Sequence, residues 1–220
     1  MQPAVLIPAR NEGPRLGAVL AELERVLPGA QRIVVDGDSQ DDTAQVARAA
    51  GALVLSQRGP GYARALATGY RFLAEQGVQR ALQLDADGQH PPEALPALLE
   101  ALEGHDLVFA SRAGTDSGGP WGRRAGNAAL ALMVRGRTGL PLQDVMAGMW
   151  ASNARAIQTL AALLDSDCAD ANIRVAAWRA GLRLREHPVR MPERSGGASM
   201  HDGLSGLRNF ARSVEALWLA

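Results

Sequence analysis

Residues 81–93 read ALQLDADGQHPPE. The mostly apolar run 81–84 passes straight into Asp85, and Pro91 and Pro92 precede a helical pattern over 92–102. Proline is tolerated in the first turn of a helix, where the N–H it lacks would have no intrahelical partner. Strand, polar loop and helix in direct succession make one unit of an α/β sheet. The unit repeats outward in both directions. Before it, strand patterns at 4–7, 32–35 and 53–55 alternate with helical patterns at 14–27, 42–50 and 62–75. The first of these helices carries Leu16, Val19, Leu20, Leu23, Val26 and Leu27 along one side. After it comes a further strand pattern at 107–110. Such alternation with short connections implies right-handed crossovers and a mostly parallel sheet flanked by helices. The expected fold class is therefore α/β.

Past residue 112 the pattern loosens. A Gly-rich loop at 115–122 precedes helical patterns at 124–137, 154–164 and 171–180, with strand patterns at 145–151 and 182–189. Residues 194–199, RSGGAS, form a polar loop. Over 204–219, Leu204, Leu207, Ala211, Val214 and Trp218 recur at three-four spacing and make one apolar stripe. That stripe has two destinations. It docks on the core or in a homodimer, or it dips into a membrane surface with Arg208 and Arg212 near the headgroups.

Composition narrows the chemistry. The chain of 220 residues balances 23 basic against 23 acidic residues, and every basic one is Arg. Without lysine there is no Schiff base and no P-loop or kinase-type lysine. Any phosphate held by side-chain cations is held by Arg, whose planar fork stays charged. A GC-rich genome is the bland origin of the same composition. Zero net charge argues against a broad nucleic-acid-binding face. The single cysteine, Cys168, excludes an internal disulfide and suits a reducing compartment. No run approaches the ~20 apolar residues of a membrane-spanning helix. The expected location is cytoplasmic, in solution or peripheral on the inner face of the membrane.

In open α/β sheets the ligand sits beyond the carboxyl ends of the strands. Four polar clusters fall there: residues 8–12, 36–43, 85–90 and 111–112. In the third, Asp85 and Asp87 can share a divalent cation, and Gln89 adds a neutral oxygen. An oxygen-only set suits Mg2+ or Mn2+, which keep positions open for phosphate oxygens. The competing reading is a solvated turn with an Asp cap. In the second, VVDGDSQDDT, Asp36 follows directly on the strand and can accept from a base or ribose. Ser39, Asp41, Asp42 and Thr43 suit a turn and a helix cap. In the first, IPARNE, Asn11 and Glu12 sit where a loop can wrap a nucleoside, or where Asn11 caps a helix with Pro14 in its first turn. The stretch GPGYARALATGY, residues 59–70, permits close backbone approach at Gly59 and Gly61. It lacks the G-x-G-x-x-G spacing of ordinary dinucleotide-binding domains.

With ASR (110–112), RRAGN (123–127), LQDVMAGMW (142–150) and REHPVRMPERSGGAS (185–199), these segments resemble family-2 glycosyltransferases of the GT-A fold. They are most similar to the dolichyl-phosphate mannosyltransferase-like branch, whose members often charge polyprenyl phosphate with a sugar. The resemblance spans residues 4–199. It implies one GT-A domain over 1–220, with a nucleotide-sugar half at 1–112, an acceptor half at 113–200 and a terminal amphipathic helix at 201–220. It also implies nucleoside contacts at Pro8, Ala9, Asn11, Glu12 and Asp36, and contacts to ribose and a metal-bound diphosphate at Asp85, Ala86, Asp87 and Gln89. Arg112, Arg123 or Arg124, Arg194 and Ser199 match positions near the acceptor phosphate. Asp144 matches an aspartate ahead of the family's S-G-F, which reads Ala147, Gly148, Met149 in this chain. Three positions depart from the family pattern. Met200 replaces a lysine, Asn172 a glutamate and His187 a valine.

The expected function is inverting, metal-dependent transfer of a sugar from a GDP- or UDP-linked donor to an acceptor, foremost a lipid phosphate. Asp87, Asp144 and Arg112 are the catalytic candidates. A phosphate acceptor is already an anion and needs no strong base, whereas a hydroxyl acceptor would need a carboxylate such as Asp144. Two alternatives stand beside this reading: a soluble hydroxyl acceptor, or a nucleotide-sugar-binding protein without catalysis.

Overall fold

The first apolar run becomes β1 (Ala4–Ala9), buried along its whole length. Strands covered on both faces lose the apolar-polar alternation of a half-exposed sheet. β1 pairs in parallel with β2 (Gln31–Asp36) and β4 (Arg80–Gln83), and β2 with β3 (Leu53–Ser56). β5 (Leu107–Ser111) pairs in parallel with β7 (Leu184–Pro188). β6 (Trp150–Asn153) lies between β4 and β5, antiparallel to both. The computed structural model describes residues 2–115, 121–164, 170–191 and 214, with backbone alone at 121–123 and 170–172. Among these the sheet runs β3-β2-β1-β4-β6-β5-β7. The strand order reverses between β1 and β4, so the crevice beyond their carboxyl ends is where such a sheet binds its ligand.

Alternate residues of β1 face two separate cores. Val5, Ile7 and Ala9 meet α1 (Gly13–Val26), α2 (Thr43–Ala49) and α4 (Leu95–Ala101). Ala4 and Leu6 meet α3 (Tyr62–Glu75), α6 (Ala154–Leu163) and α7 (Asp170–Arg179). A third apolar cluster joins α5 (Trp121–Thr138), residues 142–145 and α7. Val214, the described residue of the terminal stripe, packs half-buried against this third cluster. The stripe thus meets the chain's own apolar side chains at that point. Among the described residues no helix is long and apolar enough to cross a membrane.

Two expectations change. The strand pattern at 145–151 yields a strand only from Trp150, where pairing with Gln83 begins. Val145, Ala147 and Met149 are apolar because they are buried, but they sit in a loop. The helix expected over 92–102 opens as a 3-10 turn, Pro92–Ala94, before α4. Pro96 has no N–H to return to Pro92, so Leu95 closes on Pro92 with the shorter i to i+3 bond.

Candidate active site

The loops after β1 and β2 are tied to each other. Asn11 stands at φ 55°, a left-handed conformation that Asn tolerates. Its N–H donates to Ser39 Oγ (3.0 Å) and its Oδ1 accepts from the Gln40 N–H (2.8 Å). The Glu12 N–H donates to Thr43 Oγ1 and the Gly13 N–H to Asp41 Oδ2. The helix N-cap position is Glu12 and not Asn11. Asp41 does accept from the Thr43 N–H at the start of α2, but its second oxygen, like Ser39 and the Thr43 hydroxyl, serves the neighbouring loop. The Glu12 carboxylate pairs with Arg15 (2.9 Å). Pro8 and Ala9 are buried at the end of β1, where the Ala9 carbonyl accepts from the Gly37 N–H. Across from it Asp36 ends β2, with Oδ1 buried and given no hydrogen-bond partner among the described residues. A buried acceptor left this way costs about 1–3 kcal/mol unless water or a bound group satisfies it.

The tip of β4 gathers a second set. Asp85 Oδ1 accepts from the Tyr62 hydroxyl (2.9 Å) and from Gln83 Nε2 (3.3 Å), and Gln83 Nε2 also donates to the Tyr62 oxygen (3.0 Å). The Asp85 N–H donates to His90 Nδ1 (2.9 Å), which makes Nδ1 the unprotonated ring nitrogen. Asp87 Oδ1 accepts from the Gln89 N–H (3.0 Å), and Ala86, between Asp85 and Asp87, is buried. The Gln89 Nε2 position is buried without a hydrogen bond to any described residue. Gly148 comes from the other half of the chain. A Cβ there would stand 2.8 Å from Asp85 Oδ2 and 3.3 Å from His90 Cε1, so only glycine permits this approach. Two carboxylates and an amide, whose N and O positions exchange by rotation, fit a hard divalent cation that takes its other oxygens from water and phosphate. Among the described residues no three acidic, His or Cys groups converge.

At the tip of β5, Arg112 forms a two-pronged pair with Asp144: Nε to Oδ2 at 2.7 Å and Nη2 to Oδ1 at 2.8 Å, with the Arg112 N–H adding a third bond to Oδ2. Asp144 is buried, and burial alone would raise its carboxyl. The Arg112 fork outweighs this and holds it below the usual carboxylate range, while Asp144 raises the guanidinium. Both carboxylate oxygens are thus committed to a cation. Asp144 is the base candidate for a hydroxyl acceptor, and in the structure both of its oxygens accept from Arg112. The surrounding loop is clamped as well. Glu186 accepts from the N–H groups of Gln143 and Asp144, and Asn127 Oδ1 from those of Val145 and Met146. Arg174, fully buried above the Phe109 ring, donates to the carbonyls of Asp144 and Ala147.

Asp36, Asp85, Asp87, Gln89 and Arg112 therefore follow the carboxyl ends of parallel strands on one rim. Arg124 is exposed on α5. The Arg123 side chain, Arg194 and Ser199 lie outside the described residues, as do the side chains of the departures Asn172 and Met200. Sequence reasoning missed Tyr62, Gln83, His90, Asn127, Gly148, Arg174 and Glu186 as parts of this machinery. Most stand inside segments already singled out. Gln83 carries its own signal, a polar residue in an otherwise apolar strand.

Comparison with known proteins agrees with this layout. The model of "Glycosyl transferase family 2" matches residues 4–161. An undecaprenyl-phosphate mannosyltransferase of Micrococcus luteus is 33% identical over 221 residues, covering 92% of this chain and 88% of that one. A polyprenol monophosphomannose synthase of Mycolicibacterium smegmatis is 28% identical over 214 residues, covering 90% and 80%. Among solved structures, a glucosyl-3-phosphoglycerate synthase of Mycobacterium tuberculosis, in complex with Mn2+, UDP and glucosyl-3-phosphoglycerate, superposes with a TM-score of 0.70. That match is 22% identical and covers 99% of this chain and 78% of that one, a likeness of fold. The seven-stranded α/β sheet, the rim clusters and the matched length together make this chain a member of glycosyl transferase family 2.

Proposed function

We propose that this glycosyltransferase moves a hexosyl group from a GDP- or UDP-linked sugar to a polyprenyl phosphate, with inversion at the anomeric carbon. The observation that carries the donor half is the pair Asp85 and Asp87 at the tip of β4, where the strand order reverses. Asp85, Asp87 and Gln89 would hold Mg2+ or Mn2+, which supplies Lewis-acid stabilisation of the departing diphosphate. Pro8, Ala9, Asn11, Glu12, Asp36 and Ala86 would line the nucleoside, with Asp36 accepting from the base or ribose.

The acceptor half is supported by the state of Asp144. A hydroxyl acceptor needs a base, and the carboxylate nearest that role is paired to Arg112 through both oxygens. A phosphate oxygen needs none. It attacks the anomeric carbon as an anion, the bond to the donor diphosphate breaks, and the electron pair leaves with the diphosphate. Arg112, held in one orientation by Asp144, would offset the repulsion between the two anions, with Arg123, Arg124, Arg194 and Ser199 as further acceptor contacts. The relatives named for lipid-phosphate acceptors support the same class. The enzyme would then work at a membrane surface.

The test is thermal shift with GDP and UDP, with and without Mn2+, followed by transfer from the cognate sugar nucleotide to undecaprenyl phosphate. Asp87→Ala should abolish the Mn2+-dependent shift and cut transfer by more than about a hundredfold, since Lewis-acid stabilisation is worth several kcal/mol. Full activity in that variant sinks the metal assignment. Nucleotide binding without transfer to any acceptor sinks the catalytic reading.

A further inference from the structure

Asp85 is held from several sides, and the hold on its Oδ1 comes partly from outside its own segment. Tyr62 is the first residue of α3, directly after Gly61 at φ 99°. Gln57 fixes that turn by donating through Nε2 to the carbonyls of Gly59 and Gly61. The Tyr62 ring packs half-buried against the apolar face beneath α3. Its hydroxyl therefore arrives at a determined place. It accepts from Gln83 Nε2 at 3.0 Å and donates to Asp85 Oδ1 at 2.9 Å. Gln83, fully buried, is itself within 3.3 Å of the same oxygen. On the opposite side the absence of a side chain at Gly148 leaves room for Oδ2.

We propose that Tyr62 is a positioning residue of the donor site, whose hydroxyl sets the orientation of the Asp85 carboxylate for a divalent cation and the sugar-nucleotide diphosphate without touching either. This rests on the donor reading given above. The choice of group has a physical reason. A phenol is neutral below pH ~10, so it orients a carboxylate by hydrogen bonding and leaves its negative charge in place. A guanidinium at the same point would orient it and neutralise it, as Arg112 does to Asp144. Asp144 and Asp85 thereby differ in their partners: Asp144 is paired with a guanidinium of the protein, whereas Asp85 Oδ1 accepts from a hydroxyl and an amide. Groups that orient a metal-binding side chain typically change metal affinity 10–100-fold when removed.

The experiment is a Mn2+ titration of the full chain, read by thermal shift in the presence of whichever of GDP or UDP stabilises it, with nucleotide affinity also measured without metal. Tyr62→Phe keeps the ring and removes only the hydroxyl. The midpoint should move to about tenfold higher Mn2+, while the metal-free melting temperature and metal-free nucleotide affinity stay at wild-type values. An unchanged midpoint overturns the role of Tyr62 and leaves the donor reading intact. A parallel fall in metal-free stability and nucleotide affinity overturns it too, because the hydroxyl would then be only a structural support. A wild-type chain with no Mn2+-dependent nucleotide stabilisation overturns the donor reading and the role of Tyr62 together. If Tyr62→Phe does not fold, Gln83→Leu removes the donor behind the hydroxyl. Its midpoint should rise in the same direction, and a wild-type midpoint overturns the proposal.

Discussion

Asp144 shows how far one side chain's role depends on its partner. Standing ahead of Ala147, Gly148 and Met149, it is the base candidate in the sequence if the acceptor is a hydroxyl. Paired through both oxygens to Arg112 and almost fully buried, it is an anchor. Removing one member of a buried pair leaves an uncompensated charge and costs about 3–5 kcal/mol. Asp144→Asn should therefore lower the melting temperature at neutral pH. The sign with pH follows from the lowered carboxyl. A group depressed by folding contributes stability above the ordinary carboxylate value, near pH ~4, and loses it as pH falls through its folded value. The gap between wild type and Asp144→Asn should narrow as the pH falls below about 4. A gap that stays constant contradicts the ion pair. The wild-type pH–rate profile should also show no limb from this carboxyl between pH 5 and 8.

At the scale of elements, the placing of Tyr62 beside Asp85 depends on how α3 seats on β1. Gly69 lies on the face of α3 turned to the sheet, and a Cβ there would come within 2.3 Å of Leu6 Cδ1. Leu6 is completely buried. The glycine thus lets the helix approach closely, which places Tyr62 at its N-terminus within reach of Asp85. Gly69→Ala should overpack this contact and cost about 1–3 kcal/mol by chemical denaturation. An unchanged midpoint would mean that Leu6 can repack. The loop clamp of Asn127, Glu186 and Arg174 is the corresponding device in the second half. It makes the 143–148 segment rigid without making it a strand.

Across the whole molecule, a second buried carboxylate lies at the strand ends opposite the Asp85 rim. Asp106, just ahead of β5, is buried beneath Arg183, Asn153 and Arg155 and so ties together the segments that open β5, end β6 and lead into β7. Burial alone would raise its carboxyl, yet the bonds from Arg183 and Asn153 bring it to about 2. Its stabilisation is present above pH ~4 and disappears as the pH falls towards 2. Asp106→Asn should cost about 1–3 kcal/mol at pH 7, since it weakens hydrogen bonds to charged groups. Acid unfolding of that variant should lack the component between pH 4 and 2, and transfer per folded molecule should be unaltered. An acid profile identical to wild type would contradict the assignment.

The order of strands and helices was legible in the residues because apolar periodicity records local backbone and burial. The helix at 62–75 has the bounds that its spacing predicts. The rim clusters were legible too, since a parallel sheet puts the ends of its strands on one side. Two matters were left to the tertiary structure. One is the antiparallel insertion of β6, because an apolar run that is buried looks alike as loop or strand. The other is the pairing of polar groups across long stretches of chain: Tyr62 with Asp85, Gly148 against Asp85, Arg112 with Asp144, 32 residues away. No periodicity encodes such partners, since packing selects them after the elements form. The chain without lysine acquires its meaning at this level. Its arginine forks serve as structural anchors at Asp144 and Asp106, and the neutral hydroxyl of Tyr62 stands beside Asp85.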